Sequence, residues 1–189
     1  MVDRWLLRLD LRHVFILSLA AHCIGANAGN LVANPDFDSD VSSWTWRQNA
    51  GSGSFSLDAT TGDPSSPSAH IVTDATTTGV AVSQCILMNG PQNVDLIVNT
   101  KLNAGGSGAV LLEEFTTNDC TFGMSRVATL FYTSGAWVQT SQSNLAIGAG
   151  VQSVQVWLSA SAGVDANIDH VQLGLSGTLP VGLQSFHVD

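Results

Sequence analysis

VQSVQVWLSA, residues 151–160, alternates for most of its length between aliphatic residues and polar ones, with Trp157 on the polar side. Strict period two is the signature of a half-buried strand, because successive side chains leave a strand on opposite faces. The same pattern, in runs of six to eleven residues, recurs at 53–59, 69–74, 80–88, 93–103, 109–115, 127–133, 137–147 and 166–173. Between the runs stand turn formers: TGDPSSPS at 61–68, Asn89-Gly90-Pro91, AGGSG at 104–108, and Gly148-Ala149-Gly150. No segment carries helical periodicity, and Lys and Arg together number only 6, so the residues that favour helices are scarce. Hydrophobic residues make up 44% of the chain and charged residues 11%, which excludes disorder. Many short strands joined by Gly, Pro and Asn turns predict an all-β protein, an antiparallel β-sandwich. No internal repeat is present, and 189 residues suit one domain.

The first 28 residues stand apart. Arg4, Arg8 and Arg12 precede the apolar run VFILSLAA, and Ala26-Asn27-Ala28 follows. That is the order of a signal peptide, with cleavage expected after Ala28 and export to the extracellular space or periplasm. The apolar run is shorter than the roughly 20 residues that span a bilayer, so no membrane insertion is expected after cleavage. Cys23 follows His22 rather than the small residue of a lipid-attachment site. The expected organisation is a signal peptide over 1–28, a β-sandwich over 29–174 and a C-terminal tail over 175–189. Loss of three Arg and two Asp takes the formal charge from −9 to −10. Arg47, Lys101 and Arg126 are then the only basic residues. Phosphate backbones and anionic membranes require clustered cations, so neither is an expected partner. An exported chain with two remaining cysteines predicts a Cys85–Cys120 disulfide, the alternative being two buried free thiols.

The stretch NLVANPDFDSDVSSW, residues 30–44, is neither a plain strand nor a helix start. Leu31 and Val32 read as the beginning of an edge strand, and Asn34-Pro35 turns the chain. Phe37 reads as a core plug, Asp36 and Asp38 face outward, and Trp44 re-enters the core. This stretch resembles the N-terminal signature of secreted carbohydrate-binding jelly-roll modules of the cellulose- and xylan-binding, galactose-binding-like group. The matching C-terminal signature, Ile-Asp-Asp-Val-x-Leu, is met by Ile168-Asp169-His170-Val171-Gln172-Leu173. The middle is similar to bacterial secreted domains of unknown function, in which one cysteine follows a strand as in Gln84-Cys85-Ile86 and the other follows an aromatic strand end, as Cys120 follows Phe115. The resemblance runs from Asn30 to Leu173 and implies a jelly roll. It also implies a structural calcium on Asp38 and Asp169, completed by oxygens near Asp36 and the loop from Asp63 to Ser68. His170 departs from the pattern, standing where the second acid would be.

The resemblance further implies a sugar ligand, a polysaccharide or glycan. Sugar rings present apolar faces that stack on aromatic side chains, while amides read their hydroxyls. Trp157, on the polar side of its strand, is the first stacking candidate, with packing under a loop or the tail as its structural alternative. Tyr132 and Trp46 follow. Gln155, Gln139 and Asn99 are candidate hydrogen-bonding partners, and Trp137 reads as core. Catalysis finds no support in the residues. Glu113 and Glu114 are adjacent on one strand and point apart. His70, His170 and His187 are isolated, and no GxSxG nucleophile elbow occurs. The expectation is a non-catalytic binding module, and the alternative a structural or adhesive surface domain that works through protein–protein contacts. Nothing in the sequence sets an oligomeric state.

Overall fold

A computed structural model describes residues 29–132 and 135–179. The expected signal peptide, and the tail beyond Leu179, lie outside the described residues. Ten strands form: β1 (Thr45–Ala50), β2 (Gly53–Asp58), β3 (Ser68–Thr73), β4 (Gly79–Leu87), β5 (Gln92–Ala104), β6 (Gly108–Phe115), β7 (Ser125–Phe131), β8 (Val138–Ile147), β9 (Ser153–Ala160) and β10 (Asp165–Leu175). They make two five-stranded antiparallel sheets. Sheet A runs β1-β4-β9-β6-β7, and sheet B runs β2-β3-β10-β5-β8. The expected all-β sandwich is the observed architecture. Nine of the strands coincide with the alternating runs of the sequence. The tenth, β1, went unread because TWRQNA holds only Ala50 as an aliphatic residue, too little to show an alternation.

Each sheet turns one set of its alternating side chains inward. Val154, Val156 and Leu158 of β9 meet Leu96, Val98, Ile168 and Leu173 of the opposing sheet in one core, all of them fully buried. The inner side of β1 contributes Trp46, which stacks on Phe55 with ring centroids 6.3 Å apart. Phe37 is fully buried between Trp44, at 5.7 Å, and Phe55, at 6.3 Å. Phe37 and Trp44 thus occupy the core positions expected of them.

The two signature stretches are joined to each other. Leu31 donates its N–H to the Leu173 carbonyl at 2.7 Å, and Val171 donates to the Pro35 carbonyl at 2.9 Å. The Asn30 side chain accepts from the Leu173 N–H and donates to the Val171 carbonyl. The Trp44 indole donates to the Asn34 carbonyl. Leu31 and Val32 form no edge strand, which corrects the expectation. Their segment is held by these scattered bonds, several from a side chain, rather than by a continuous ladder. Trp137 is a second correction: it is half-buried just ahead of β8, with its indole directed at Thr61 Oγ1 at 3.3 Å, outside the central core.

Cys85 on the outward side of β4 is bonded to Cys120 in the loop between β6 and β7, with Cα atoms 6.0 Å apart and a sequence separation of 35. Reduction is expected to lower stability by about 3–4 kcal/mol through the entropy released to the unfolded chain. Melting curves with and without reductant measure this, and coincident curves would remove the bond from the stability argument.

Candidate functional site

Two regions gather the chemistry-bearing residues. The first is the outward face of sheet A. Register aligns Ser83 of β4, Trp157 of β9, and Leu111 and Thr129 of β6 and β7 in one row. The next row holds Arg47, Ala81, Ser159, Ala109 and Phe131. The second row is mostly small, so the sheet is hollowed there. One lobe of the hollow, about 300 Å³, is lined by Arg47, Asn49, Gly79, Ala81, Trp157 and Ser159. The other, about 500 Å³, shares Gly79 and Ser159 and reaches Leu111, Arg126 and Phe131.

Trp157 stands at the boundary, half-buried, with the Arg47 guanidinium carbon 5.9 Å from its ring centroid. The Trp157 Nε1–H is shut off from solvent and meets no acceptor among the described residues. A buried donor left unpaired costs about 1–3 kcal/mol. Phe131 is 68% exposed on the far side of the hollow. Glu113, buried on the same face, accepts from Arg126 at 2.8 Å. Glu114 points the other way and accepts the Gly148 N–H, so the adjacent acids diverge as alternation requires.

The remaining expected sugar contacts fall elsewhere. Gln155 shares the face of Trp157 but is buried, its amide donating to Ser83 Oγ. Tyr132 is buried against Gly108, where any Cβ would collide with its ring. Burial alone drives its phenol pKa far upward, and the ring offers no stacking face. Trp46 points inward to Phe55 and is likewise no platform. Asn99 and Gln139 belong to sheet B, on the far side of the molecule, and bond to one another. Asn99 also donates to the Asp63 carbonyl, which ties down the loop from 59 to 67. Alternation assigns a residue to one of two faces, but the pairing of distant strands decides which faces coincide. Hence Arg47, Asn49, Arg126 and Phe131 were missed. Reading TWRQNA as a strand would have placed Arg47 and Asn49 opposite Trp46.

The second region lies where the signature stretches meet. Asp36, Asp38, Pro64, Ser65, Asp169 and His170 line a hollow of about 250 Å³. The residues expected to hold calcium therefore do converge, with Asp63 adjoining through its backbone. Asp169 is 2% exposed and accepts the Asp63 N–H on one oxygen and the His170 N–H on the other, both at 2.8 Å. Burial, with the Asp36 charge nearby, pushes the Asp169 carboxyl up to about 7. His170 sits in a bulge of β10 at φ 50° and pairs with Asp36 at 2.7 Å. That bond raises the imidazole pKa. Among the described residues, no three acids, histidines or cysteines are grouped to hold a metal. As folded, this donor set does not fit a closed calcium shell, which takes six to eight oxygens. Both Asp169 oxygens accept backbone N–H groups, and His170 offers ring nitrogens, not oxygens, in the place of the expected second acid.

No protein-family model matches the chain, and no curated protein matches it. Solved structures do. A C-terminal family 22 carbohydrate-binding module of Clostridium thermocellum Xyn10B is 16% identical with a TM-score of 0.59, over 82% of this chain and 99% of that one. The module TmCBM61, solved with β-1,4-galactotriose, is 14% identical with a TM-score of 0.55, over 78% of this chain and 99% of that one. The enzymatically active domain of bacteriophage CBA120 tailspike protein 4 is 15% identical with a TM-score of 0.59, but this chain spans only 21% of its length. At these identities the likeness is one of fold: the chain is a jelly-roll sandwich like that of carbohydrate-binding modules.

Proposed function

We propose that the protein is a secreted, non-catalytic carbohydrate-binding module whose ligand lies on the outward face of sheet A. The observation that carries this reading is Trp157, half-buried on the polar side of β9 beside a hollow floored by small residues. A large aromatic kept out of the core and in contact with solvent is suited to a sugar ring. The fold likeness to modules that fill 99% of their own chains supports the same reading. The disulfide favours an oxidising compartment, in keeping with export. Sheet A offers no pair of carboxylates facing one another across a site, which glycoside hydrolysis requires: Glu113 is held by Arg126 and Glu114 turns away.

The test is binding of the purified chain to a glycan array and to insoluble polysaccharides, with Trp157→Ala alongside. The variant is expected to keep its fold and to bind about 10- to 100-fold more weakly, the loss of one stacked ring. Equal binding by a folded variant would move the site away from this face. Failure of the native chain to bind any glycan would favour a surface domain that acts through protein contacts.

A further inference from the structure

We propose that the hollow on sheet A selects glycans bearing fixed negative charge, carboxylate or sulfate, and that Arg47 is the residue that receives the anion. This rests on the carbohydrate reading above and names the class of ligand.

The argument begins with the scarcity of cations. After residue 28 the chain has three basic residues. Lys101 lies on β5 in sheet B, whereas Arg47 and Arg126 both line the hollow of sheet A. Acids are distributed the opposite way. The strands of sheet A contain only Glu113 and Glu114, and every other acid of the described residues lies on sheet B or in a loop. A strongly acidic protein therefore keeps one face free of net negative charge, and that face holds the half-buried indole of Trp157.

The two arginines are not equivalent. Arg126 is paired with Glu113 at 2.8 Å. Arg47 is exposed and makes no ion pair among the described residues; its guanidinium lies over the Trp157 ring. At an exposed site such a cation–π contact contributes only about 0.5–1 kcal/mol. A guanidinium presents a planar fork that matches a carboxylate or sulfate in two parallel hydrogen bonds, a stronger arrangement than cation–π contact in water. It also occupies the space through which a sugar must approach the indole. A neutral sugar would have to displace Arg47 without recompense. A sugar carrying an anionic group would draw the side chain aside onto that group and stack on the ring thus uncovered. Stack and charge pair together give selectivity that neither gives alone.

The experiment compares the purified full chain against matched polymers: polygalacturonate with its carboxyl-reduced form, and dextran sulfate with dextran. Dissociation constants are taken by calorimetry. The charged member of at least one pair is expected to bind about tenfold tighter or more than its neutral counterpart, and which pair does so distinguishes carboxylate from sulfate. Arg47→Gln is expected to reduce that ratio to about threefold or less, with a melting temperature lowered by only about 2–4 °C. Lys101→Gln removes the same charge from sheet B and is expected to leave the ratio intact. Binding to both members of each pair with equal affinity would overturn the anion selectivity and leave the sugar reading standing. A ratio that survives Arg47→Gln, or that falls equally in Lys101→Gln, would remove Arg47 from the role. No binding to these polymers or to any glycan would overturn both readings.

Discussion

Phe37→Ala is expected to destabilise the protein by about 3–5 kcal/mol, the range for truncating a fully buried phenylalanine. Three features place the cost at the upper end. The ring is fully buried. It touches two aromatic rings, Trp44 and Phe55, which cannot close the gap by small rotations. Its backbone is in the left-handed region at φ 49°, held there by the turn through Asn34 and Pro35, so the segment has little freedom to collapse into the void. The loss is not confined to one ring. Phe37 anchors the segment that hydrogen-bonds to β10, and its removal frees that segment to fray. Urea unfolding of the variant beside Leu87→Ala, whose side chain is 67% exposed, measures the difference. Equal midpoints for the two variants would show that the segment from 30 to 44 is not pinned by Phe37.

The second large effect is at Asp169, and it depends on pH. Asp169→Ala leaves two backbone N–H groups, of Asp63 and His170, without an acceptor in a buried place. A loss of about 2–5 kcal/mol follows from the cost of each unpaired donor. The native protein carries a related signature. The folded-state pKa of Asp169, about 7, lies above the ordinary carboxylate value of 3.8. Its contribution is therefore complete below about 4 and is lost as pH rises through 7. His170, raised by its bond to Asp36, has the same sign: its contribution is complete below 6.5 and is lost as pH rises through its elevated pKa. At the acid end the sign reverses. Hydroxyl hydrogen bonds from Ser42, Thr60, Thr76 and Thr121 hold Asp40, Asp58, Asp74 and Asp119 below the usual range. That stabilisation is present above 3.8 and is lost as pH falls below it. The melting temperature is expected to peak near pH 4 and to decline from there through pH 8. In His170→Gln the decline above pH 6.5 should become shallower. A stability that keeps rising to pH 8 would contradict the protonated Asp169. Millimolar calcium is expected to leave the melting temperature unchanged. A calcium-dependent rise that disappears in Asp169→Ala would instead place a cation there.

Much of the fold was legible because a sandwich writes its pattern locally. Val154, Val156 and Leu158 announce an inward face by spacing alone, and Gly148 to Gly150 announces a chain reversal. The stretch from Asn30 to Trp44 could be read as a plug and a turn because Pro35, Phe37 and Trp44 are residues with narrow uses. The site was legible only in part. Trp157 was found because a large aromatic on a polar face breaks the local rule. Tyr132 and Trp46 drew notice for their chemistry, yet one fills a space opened by Gly108 and the other bridges β1 to Phe55. Neither neighbour is close enough in sequence to be foreseen. Asp169 and its acid neighbours were brought together as expected, but the backbone N–H groups that bond to Asp169 come from a loop more than 100 residues away and from a bulge at His170.

The amino-acid order alone was enough for nine of the ten strands, their inward and outward faces, the disulfide and the plug at Phe37. Each of these follows from the period of the backbone, from a count of cysteines or from one residue's shape. That β1 lies beside β4, and β4 beside β9, came from the folded chain as a whole. That order sets Arg47 over Trp157 and, across β6 and β7, Arg126 in the other lobe of the hollow. It also moved Asn99 and Gln139 to the opposite sheet. Strand order is a long-range property, fixed by which pairing buries both apolar faces together, and period two carries no information about it.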